Sequence, residues 1–361
     1  MEQLGAGGLR LARGPDRATA NDALAAISDG KVGLDGVLDD LNRSAGAAFA
    51  PGRLTSWAFA WDRDDMRSAR WWPQGITTSA DAFGDERYAG REVVVTTSYS
   101  KKLAGLHKGS RITVVDITDP TRIRYRHVLL VSTALEGDQL TVHPVRAHAG
   151  GIVWSGPLLH VAATEHGVLT FRTQDIVRVT SRAPDRLGPT PEGAVAGYGH
   201  RYVLPLHCAY QPVTNDDVEP FRYSFLSLAR TGGGASMLAG EYGHGSMSTR
   251  LTTCRFGPDH HLDDAGNGAV AHLLEPGGVP RMQGAVAARG NLYATSSRGR
   301  YRLGSLFVGQ PGRLREVRDA VPVGPEDLSH WPSRGQLWSQ AEYPRQRLVF
   351  TIDLDEVDKR R

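Results

Sequence analysis

A short pattern of residues recurs along the chain, and this repeat limits the possible folds more than any other feature. In the clearest copy, the glycine-rich segment 148–156 precedes a strand-like run at 158–164, a tight turn and a second strand-like run at 168–171. Each copy reads as strand, loop, strand, short turn, strand, which is most of a four-stranded antiparallel meander. Further copies start at Met282, Gly324 and, with insertions, Pro73, and a poorer copy starts at Gly199.

Meanders of this size arranged radially form the blades of a β-propeller. The copies predict an all-β fold with five blades, and no long helical pattern interrupts the strand-like runs, which argues against parallel βαβ folds. A propeller ring must close, and residues 54–61 are placed to supply the strand that the last copy lacks after Asp353. The alternative is a β-sandwich in which the likeness between strands is accidental.

The chain is expected to have two parts, an N-terminal arm at 1–53 and the five-bladed propeller at 54–361. Within the arm, apolar residues at helical spacing predict a short helix at 32–41. The composition, with 40% hydrophobic and 22% charged residues, is that of a folded globular chain. The first seventeen residues lack the apolar run of a signal peptide. This predicts a cytoplasmic protein by default, or an extracellular one if the sequence is a processed form.

Charge and motif content exclude several functional classes. The formal net charge is +3 and the basic residues are spread along the chain, so no nucleic-acid partner is expected. No stretch approaches the roughly 18 apolar residues of a membrane span, so no membrane partner is expected either. A monomer is predicted. Cys208 and Cys254 lie outside any zinc-binding pattern, and whether they form a disulfide stays open. The chain has no G-x-S-x-G, P-loop, complete G-x-G-x-x-G or H-E-x-x-H motif, which leaves lipase, nucleotide-binding and zincin functions without local support.

The repeat also predicts where a functional site lies. In a propeller the first strand of each blade lines the central channel, and its start opens on the same face as the end of the second strand. Polar residues at both kinds of position should therefore surround one concavity, as in a binding pocket. The strand-start candidates are Gln74, His148, His200, Gln283, Glu326 and Asp327, and the second-strand candidates are Tyr99, Glu165, Ser297 and Glu342.

Three carboxyl groups from the last copy suggest the chemistry. Two carboxyl groups held close together repel each other when both are ionised, so one keeps its proton or a cation binds between them. Glu326, Asp327 and Glu342 therefore fit either acid/base catalysis or a Ca²⁺ site. An alternative for Asp327 is that it caps backbone N–H groups at the start of its strand. His148 is a candidate proton carrier, or else a hydrogen-bonded structural histidine beside the adjacent glycines.

Each candidate residue has an expected role. The expected catalytic residues are Glu326, Glu342 and His148. No metal ligand is assigned and no cofactor is certain, with Ca²⁺ the one candidate. Basic residues after the second strands would favour an anionic or polar substrate, although solvated turns explain them nearly as well; they are Lys101, Lys102, His166, Arg298 and Arg345. The expected substrate-binding residues are Gln74, Tyr99, Glu165, His200, Gln283, Ser297 and Asp327.

The segments 73–77, 148–152, 282–285 and 324–328, followed by Leu337-Trp338-Ser339 and Glu342, resemble a family of actinobacterial, often secreted, uncharacterised propeller proteins. The resemblance covers residues 54–355 and implies the propeller fold and export. It carries no catalytic residue across, because the family has no settled activity. Five-bladed propellers in general include glycosidases, calcium-dependent nucleotidases, glutaminyl cyclases and lectins, so fold alone does not choose among these activities.

The function expected from the sequence is an enzyme of the hydrolase, lyase or cyclase type. It would act on a small polar molecule or carbohydrate at the mouth of the propeller channel. The alternative is a non-catalytic propeller that binds a small ligand or glycan, with any calcium serving a structural role.

Overall fold

The computed structural model describes residues 8–231, 234–264, 266, 268–274 and 277–360. These residues are mostly in β-strands, and the helices among them are short, which confirms the all-β class. None of the helices in the described ranges has the length and apolar character needed to cross a membrane.

The N-terminal part contains short helices and strands. The helix expected at 32–41 is present as α2, where Leu34, Val37 and Leu38 are buried. The strand expected at 54–61 is present as β4. In chain order the elements are β1 Leu9–Arg13, α1 Ala18–Ala26, α2 Gly33–Leu38, β2 Arg43–Ser44, β3 Gly46–Ala47, β4 Thr55–Ala60 and α3 Arg63–Arg67.

The first meander follows, and both faces of its sheet are buried. Val94 and Val115 pack with aromatic residues of the last meander, whereas Val93 and Val95 pack against the second meander. A strand buried on both faces reads as a continuous β-branched run, which explains the Val-rich sequence here. The strands are β5 Trp71–Thr78, β6 Val93–Ser100, β7 Ser110–Asp116 and β8 Arg124–Glu136, with α4 Ser79–Ala82 after β5 and β9 Gln139–Pro144 paired to the end of β8.

The second meander takes its outer strand from a distant part of the sequence. Its first strands are β10 Ile152–Ser155, β11 Leu158–Ala162 and β12 Val168–Arg172. The short strands β13 Val177–Arg178, β14 Leu187–Pro189 and β15 Val195–Gly197 follow, and then β16 Tyr202–Thr214 pairs antiparallel with β12 and parallel with β8. The prediction that a repeat copy starts at Gly199 is therefore wrong. A long excursion separates β16 from β12, so its apolar run looks like a new first strand.

The third meander holds the N-terminal strand. It consists of β17 Phe225–Thr231, β18 Gly234–Gly240, β19 Leu251–Arg255 and β20 Ala269–Leu274. The strand β1 pairs antiparallel with both β20 and β16, and its Leu9 and Leu11 are buried. Residues of the N-terminal part thus join the second and third meanders.

The last two meanders complete the arrangement. The fourth consists of β21 Met282–Ala288, β22 Asn291–Ser296, β23 Gly304–Gln310 and β24 Arg313–Val321. The final one consists of β25 Pro325–Trp331, β26 Gln336–Ala341 and β27 Leu348–Asp353, followed by α5 Leu354–Asp358. The strand β4 pairs antiparallel with β27, which confirms the closure expected from residues 54–61.

The first strands of successive meanders contact one another in cyclic order, and β25 returns to β5. Glycines allow this close approach. A Cβ atom on Gly75 would lie 2.7 Å from the backbone of Gly151, and one on Gly284 would lie 2.5 Å from Cα of Asp327. Only residues without a side chain fit at such separations, so the glycines of the repeat mark the places where neighbouring strands meet in this propeller-like ring.

Candidate functional site

A cavity of about 480 Å³ lies where the first strands begin. Its size is within the range of small-molecule sites. Residues near the start of every first strand line it, together with residues that follow the second strands. The lining residues are Gln74, His148, Gly150, Thr164, Arg222, Ser224, Tyr242, Met247, Met282, Gln283, Glu326 and Glu342.

Five of the residues predicted from the sequence line this cavity together: Gln74, His148, Gln283, Glu326 and Glu342. The repeat places them there because equivalent positions of different meanders face the same opening. Gln74 is buried, and its Nε2 donates a hydrogen bond to the carbonyl oxygen of Pro73 at 2.6 Å. Residues more than 260 positions apart in the chain, such as Gln74 and Glu342, thus share one pocket.

The two glutamates have perturbed acidities. Glu326 is buried, and burial raises the pKa of its carboxyl group well above the usual value, with repulsion from Glu342 and Asp327 adding to the shift. Burial also raises the pKa of Glu342, but Tyr343, Lys101, Arg347 and Gln74 act in the opposite direction. Glu342 therefore has groups that stabilise its carboxylate, whereas the charges next to Glu326 oppose its ionisation. On raising the pH, Glu342 loses its proton first.

Tyr99 and His148 form a stacked pair beside the glutamates. Their ring centroids are 4.6 Å apart and the ring planes differ by 29°. The pKa of Tyr99 is raised to about 12, first by burial and then by the charges of Glu342 and Glu326. The surrounding protein lowers the pKa of His148, so its imidazole is neutral near pH 7. The ring faces the cavity as a neutral hydrogen-bonding group and not as a cation.

Asp327 points away from the cavity into the ring of first strands. Its Oδ2 accepts hydrogen bonds from the backbone N–H groups of Ile76 at 3.2 Å and Ile152 at 3.3 Å. The side chain is fully buried, and burial raises the pKa of the carboxyl well above its usual value. Asp327 thus joins the first strands of three meanders, as the backbone-capping alternative expects, and it is not among the residues that line the cavity.

Four other predicted substrate-binding residues are not among the lining residues: Tyr99, described above, and Glu165, Ser297 and His200. Glu165 lies on an exposed turn, although its neighbour Thr164 does line the cavity. Ser297 is buried, and its backbone N–H donates to the carbonyl of Arg281 at 3.2 Å. His200 precedes the outer strand β16 and lines a different cavity. The placement of His200 at the channel mouth is wrong because the copy at Gly199 was assigned to the wrong strand.

The third meander contributes residues that the sequence analysis missed. Arg222 and Ser224 precede β17 and Tyr242 follows β18, at positions equivalent to those of the predicted residues. The side chain of Arg222 donates to the carbonyl oxygen of Ser248 at 3.3 Å. The start of β17 lacks the glycine found in the other copies of the repeat. In the sequence, the start of this meander is marked by the strand-like run at 222–228. Starting the repeat from that run would have placed Arg222 at the mouth.

The structure gives no support for a metal ion held by the predicted carboxyl groups. No group of three or more His, Cys, Asp or Glu side chains in the described part of the chain is arranged to hold a metal. Cys208 and Cys254 are both buried free thiols, and burial raises the pKa of Cys254 to about 12. These two residues therefore belong to the core between the second and third meanders and not to a reactive site.

The basic residues predicted for the rim have diverse surroundings. The Nζ atom of Lys101 lies 3.3 Å from the ring centroid of Trp72, and its charge lowers the pKa of Glu342. Arg298 instead pairs with Asp319 at 2.8 Å. Lys101 is thus a rim cation with a direct electrostatic effect on a cavity residue.

No protein-family model matches the chain, and no curated protein matches it either. Solved structures with similar outlines include a GH43 β-xylosidase/α-arabinofuranosidase from a compost microbial metagenome, with 10% identity over 84% of this chain and 95% of that chain and a TM-score of 0.36. The β-propeller domain of Swd1 from Myceliophteria thermophila has 10% identity over 84% and 99% and a TM-score of 0.39. A gluconolactonase from Xanthomonas campestris has 12% identity over 87% and 98% and a TM-score of 0.35. Similarity at this level does not bear on the activity of the chain.

Proposed function

We propose that this protein is a five-bladed β-propeller enzyme that acts on a small polar molecule, such as a sugar derivative, by acid/base catalysis in the channel-mouth cavity. The observation that carries the proposal is the placement of two carboxyl groups with raised pKa values, Glu326 and Glu342, in the wall of one cavity. Such pairs are common where an enzyme needs a proton donor and a proton acceptor together.

The surroundings of the two groups assign their roles. Glu326 keeps its proton because burial and two neighbouring carboxyl groups oppose its ionisation, so it is the general acid. Glu342 ionises more readily because Lys101, Arg347 and two hydrogen-bonding side chains stabilise its charge, so it is the general base. Between the two ionisations the pair holds one proton.

A hydrolytic step needs one proton acceptor and one proton donor, and these two residues supply both. Glu342 accepts a proton from water as the water oxygen forms a bond to the electrophilic carbon of the substrate. Glu326 donates its proton to the leaving oxygen as the bond from that oxygen to the carbon breaks. The cycle ends when Glu326 regains a proton and Glu342 loses one through exchange with solvent. A lyase or cyclase would use the same pair, with the base removing a proton from the substrate itself.

The remaining cavity residues suit a ligand rich in hydroxyl groups. Gln74 and Gln283 carry amides that both donate and accept hydrogen bonds, and the neutral His148 does the same with its two ring nitrogens. Tyr242 and Met247 add apolar surface for the faces of a ring. One cation, Arg222, also lines the cavity and would orient a negatively charged substituent.

The test is a panel of glycosides, lactones and cyclic esters assayed with the wild type, E326Q, E342Q and the control E136Q, which alters an exposed residue at the end of β8. For the substrate that the wild type converts, each of the first two variants should lower kcat by at least about 100-fold, the usual contribution of a general acid or base. The control should retain full turnover. E342Q should remove the acidic limb of the pH–rate profile, and E326Q should remove the alkaline limb. Full turnover by both variants would disprove the proposal.

A non-catalytic binding protein is the second candidate, and the two lining amides Gln74 and Gln283 favour it. Calorimetry would then detect saturable binding of a small polar ligand that is recovered chemically unchanged. Under this alternative, E326Q would alter affinity but no conversion would occur with any variant.

A further inference from the structure

A second cavity, of about 220 Å³, lies at the outer side of the first meander and shares no lining residue with the channel-mouth cavity. The segment that precedes β16 forms one wall, and residues at the starts of β5 and β7 form another. Its outstanding property is the number of cationic side chains that face it. These are Arg43, Lys108, Arg111, Arg126, Arg182 and Arg201.

Nearby carboxylates balance only part of this charge. Asp65 pairs with Arg111 at 2.9 Å and with Arg43 at 3.5 Å, and Arg43 also contacts Asp62. Asp40 pairs with Arg126 and Arg201, each at 3.1 Å. Three carboxylates therefore form ion pairs with four arginines.

Lys108 and Arg182 have no such partner. No carboxylate lies within ion-pair distance of either side chain in the described ranges, and Nζ of Lys108 donates only to the carbonyl oxygen of Tyr198, at 3.1 Å. Burial and the charges of Arg70 and Arg111 lower the pKa of Lys108, and the charge of Asp185 acts in the opposite direction. The cavity thus has more cationic side chains than carboxylates that form ion pairs with them.

The buried arginines also have unused hydrogen-bond donors. Arg111 is 6% exposed and Arg126 is 7% exposed, and the Nε–H of each has no hydrogen-bond partner among the described residues. Stacking holds both guanidinium groups in place, with Arg111 4.3 Å from the ring centroid of Trp71 and Arg126 5.3 Å from that of Tyr202. Both guanidinium groups are thus fixed cations in the cavity wall, and an anionic ligand in the cavity would be attracted by their charge.

The pKa of His200 reflects the positive charge around the cavity. Its Nδ1 donates to the carbonyl oxygen of Gly197 at 3.0 Å, which leaves Nε2 as an acceptor in the neutral ring. Burial lowers the pKa of His200 well below its usual value, and repulsion from Arg111, His127 and Lys108 adds to the shift. A bound anion would reduce that repulsion, and Nε2 would accept a hydrogen bond from a hydroxyl group of the ligand.

We propose that this second cavity binds a small soluble phosphate monoester, with Lys108 and Arg182 neutralising the phosphate and the guanidinium groups of Arg111 and Arg126 supplying further donors. The excess charge favours a dianion, and the planar donors of arginine fit phosphate oxygens. The volume has room for a phosphate group with a few carbon atoms. The cations meet in one concavity and do not form a stripe along the surface, which favours a small ligand over a nucleic acid.

The test is isothermal titration calorimetry of the full chain with glycerol 3-phosphate, with inorganic phosphate and with glycerol, all at one ionic strength. Glycerol 3-phosphate should bind saturably to one site, inorganic phosphate should compete with it, and glycerol should not bind. K108M and R182Q should each weaken glycerol 3-phosphate binding by about tenfold, the usual effect of losing one charge-assisted contact. K102M and R186Q are the matched controls, because both residues are exposed and outside the cavity wall, and they should bind like the wild type.

Lys108 and Arg182 are not part of the buried ion pairs, so their variants should keep the circular dichroism spectrum and Tm of the wild type. The proposal is overturned if neither phosphate compound binds, or if K108M and R182Q bind as tightly as their controls. Tight binding of a short single-stranded oligonucleotide without any binding of the two phosphate compounds would overturn it in favour of a nucleic-acid surface. None of these outcomes depends on turnover at the channel mouth.

Discussion

Replacing Gly284 by alanine should test the close packing of the first strands. The added Cβ would lie 2.5 Å from Cα of Asp327 and 2.7 Å from the backbone nitrogen of Leu328, and both of these are backbone atoms that no rotamer change can move. Ordinary contacts begin near 3.4 Å. The strands β21 and β25 would therefore have to separate by roughly 1 Å, and overpacking of this kind costs about 1–3 kcal/mol, with the upper end expected when backbone is displaced.

The prediction is a loss of about 3 kcal/mol in the free energy of unfolding for G284A, measured by urea denaturation. With an unfolding entropy of about 2.1 cal/mol/K per residue, this loss lowers Tm by roughly 4 °C in a chain of this length. The control is G84A, because a Cβ at Gly84 meets no atom within 4 Å and the residue has an ordinary negative φ. The control should leave stability within about 0.5 kcal/mol of the wild type. A loss below 1 kcal/mol for G284A would mean that the first strands are not held at this separation, and the explanation of the repeat glycines would fail.

Two further predictions concern stability. Because the folded-state pKa of Glu326 is raised, its contribution to stability is present below the unfolded pKa near 4.3 and is lost as the pH rises toward the folded value. E326Q should therefore gain stability relative to wild type as the pH rises above about 4.3, by up to about 1.4 kcal/mol per pH unit, in urea titrations at several pH values. A pH-independent difference between E326Q and wild type would contradict the raised pKa. Leu11 on β1 is fully buried, so L11A should lower the free energy of unfolding by about 2–5 kcal/mol. The control I27A, at an exposed position, should change it by less than about 0.5 kcal/mol. Equal effects of the two substitutions would show that β1 is not part of the core.

The repeat was readable from the sequence because the same physical requirement recurs in each copy. Gly75 and Gly284 allow neighbouring backbones to meet, and residues beside them, such as Gln74 and Gln283, face the channel mouth for the same reason. The start of the third meander was missed because β17 begins at Phe225 without a preceding glycine. There the close approach is made by Gly150 and Gly151 of the preceding meander, where a Cβ would lie 2.0 Å from backbone atoms of Ser224 and Leu226.

Long-range pairing explains most of what the sequence did not reveal. The strand β1 has only two alternating leucines as a signal, and its partners Tyr202–Thr214 and Ala269–Leu274 lie about 200 or more residues away. The position of Asp327 in the sequence was equally compatible with lining the cavity and with capping backbone amides. Only the positions of Ile76 and Ile152 decide between these roles, and both belong to other meanders.

The pairing of β4 with β27 also has a consequence for synthesis of the chain. Ser56 and its hydrogen-bond partner Thr351 are 295 residues apart. At about 5–20 residues per second, the ribosome needs roughly 15–60 s to make the intervening chain. During that interval β4 has no β27 to pair with, and its apolar Ala58 and Phe59 lack the neighbours that bury them in the finished protein. The ring closes only after nearly all of the chain has been made, so until the end of translation the nascent chain carries an unpaired strand edge, which is a template for pairing with another chain.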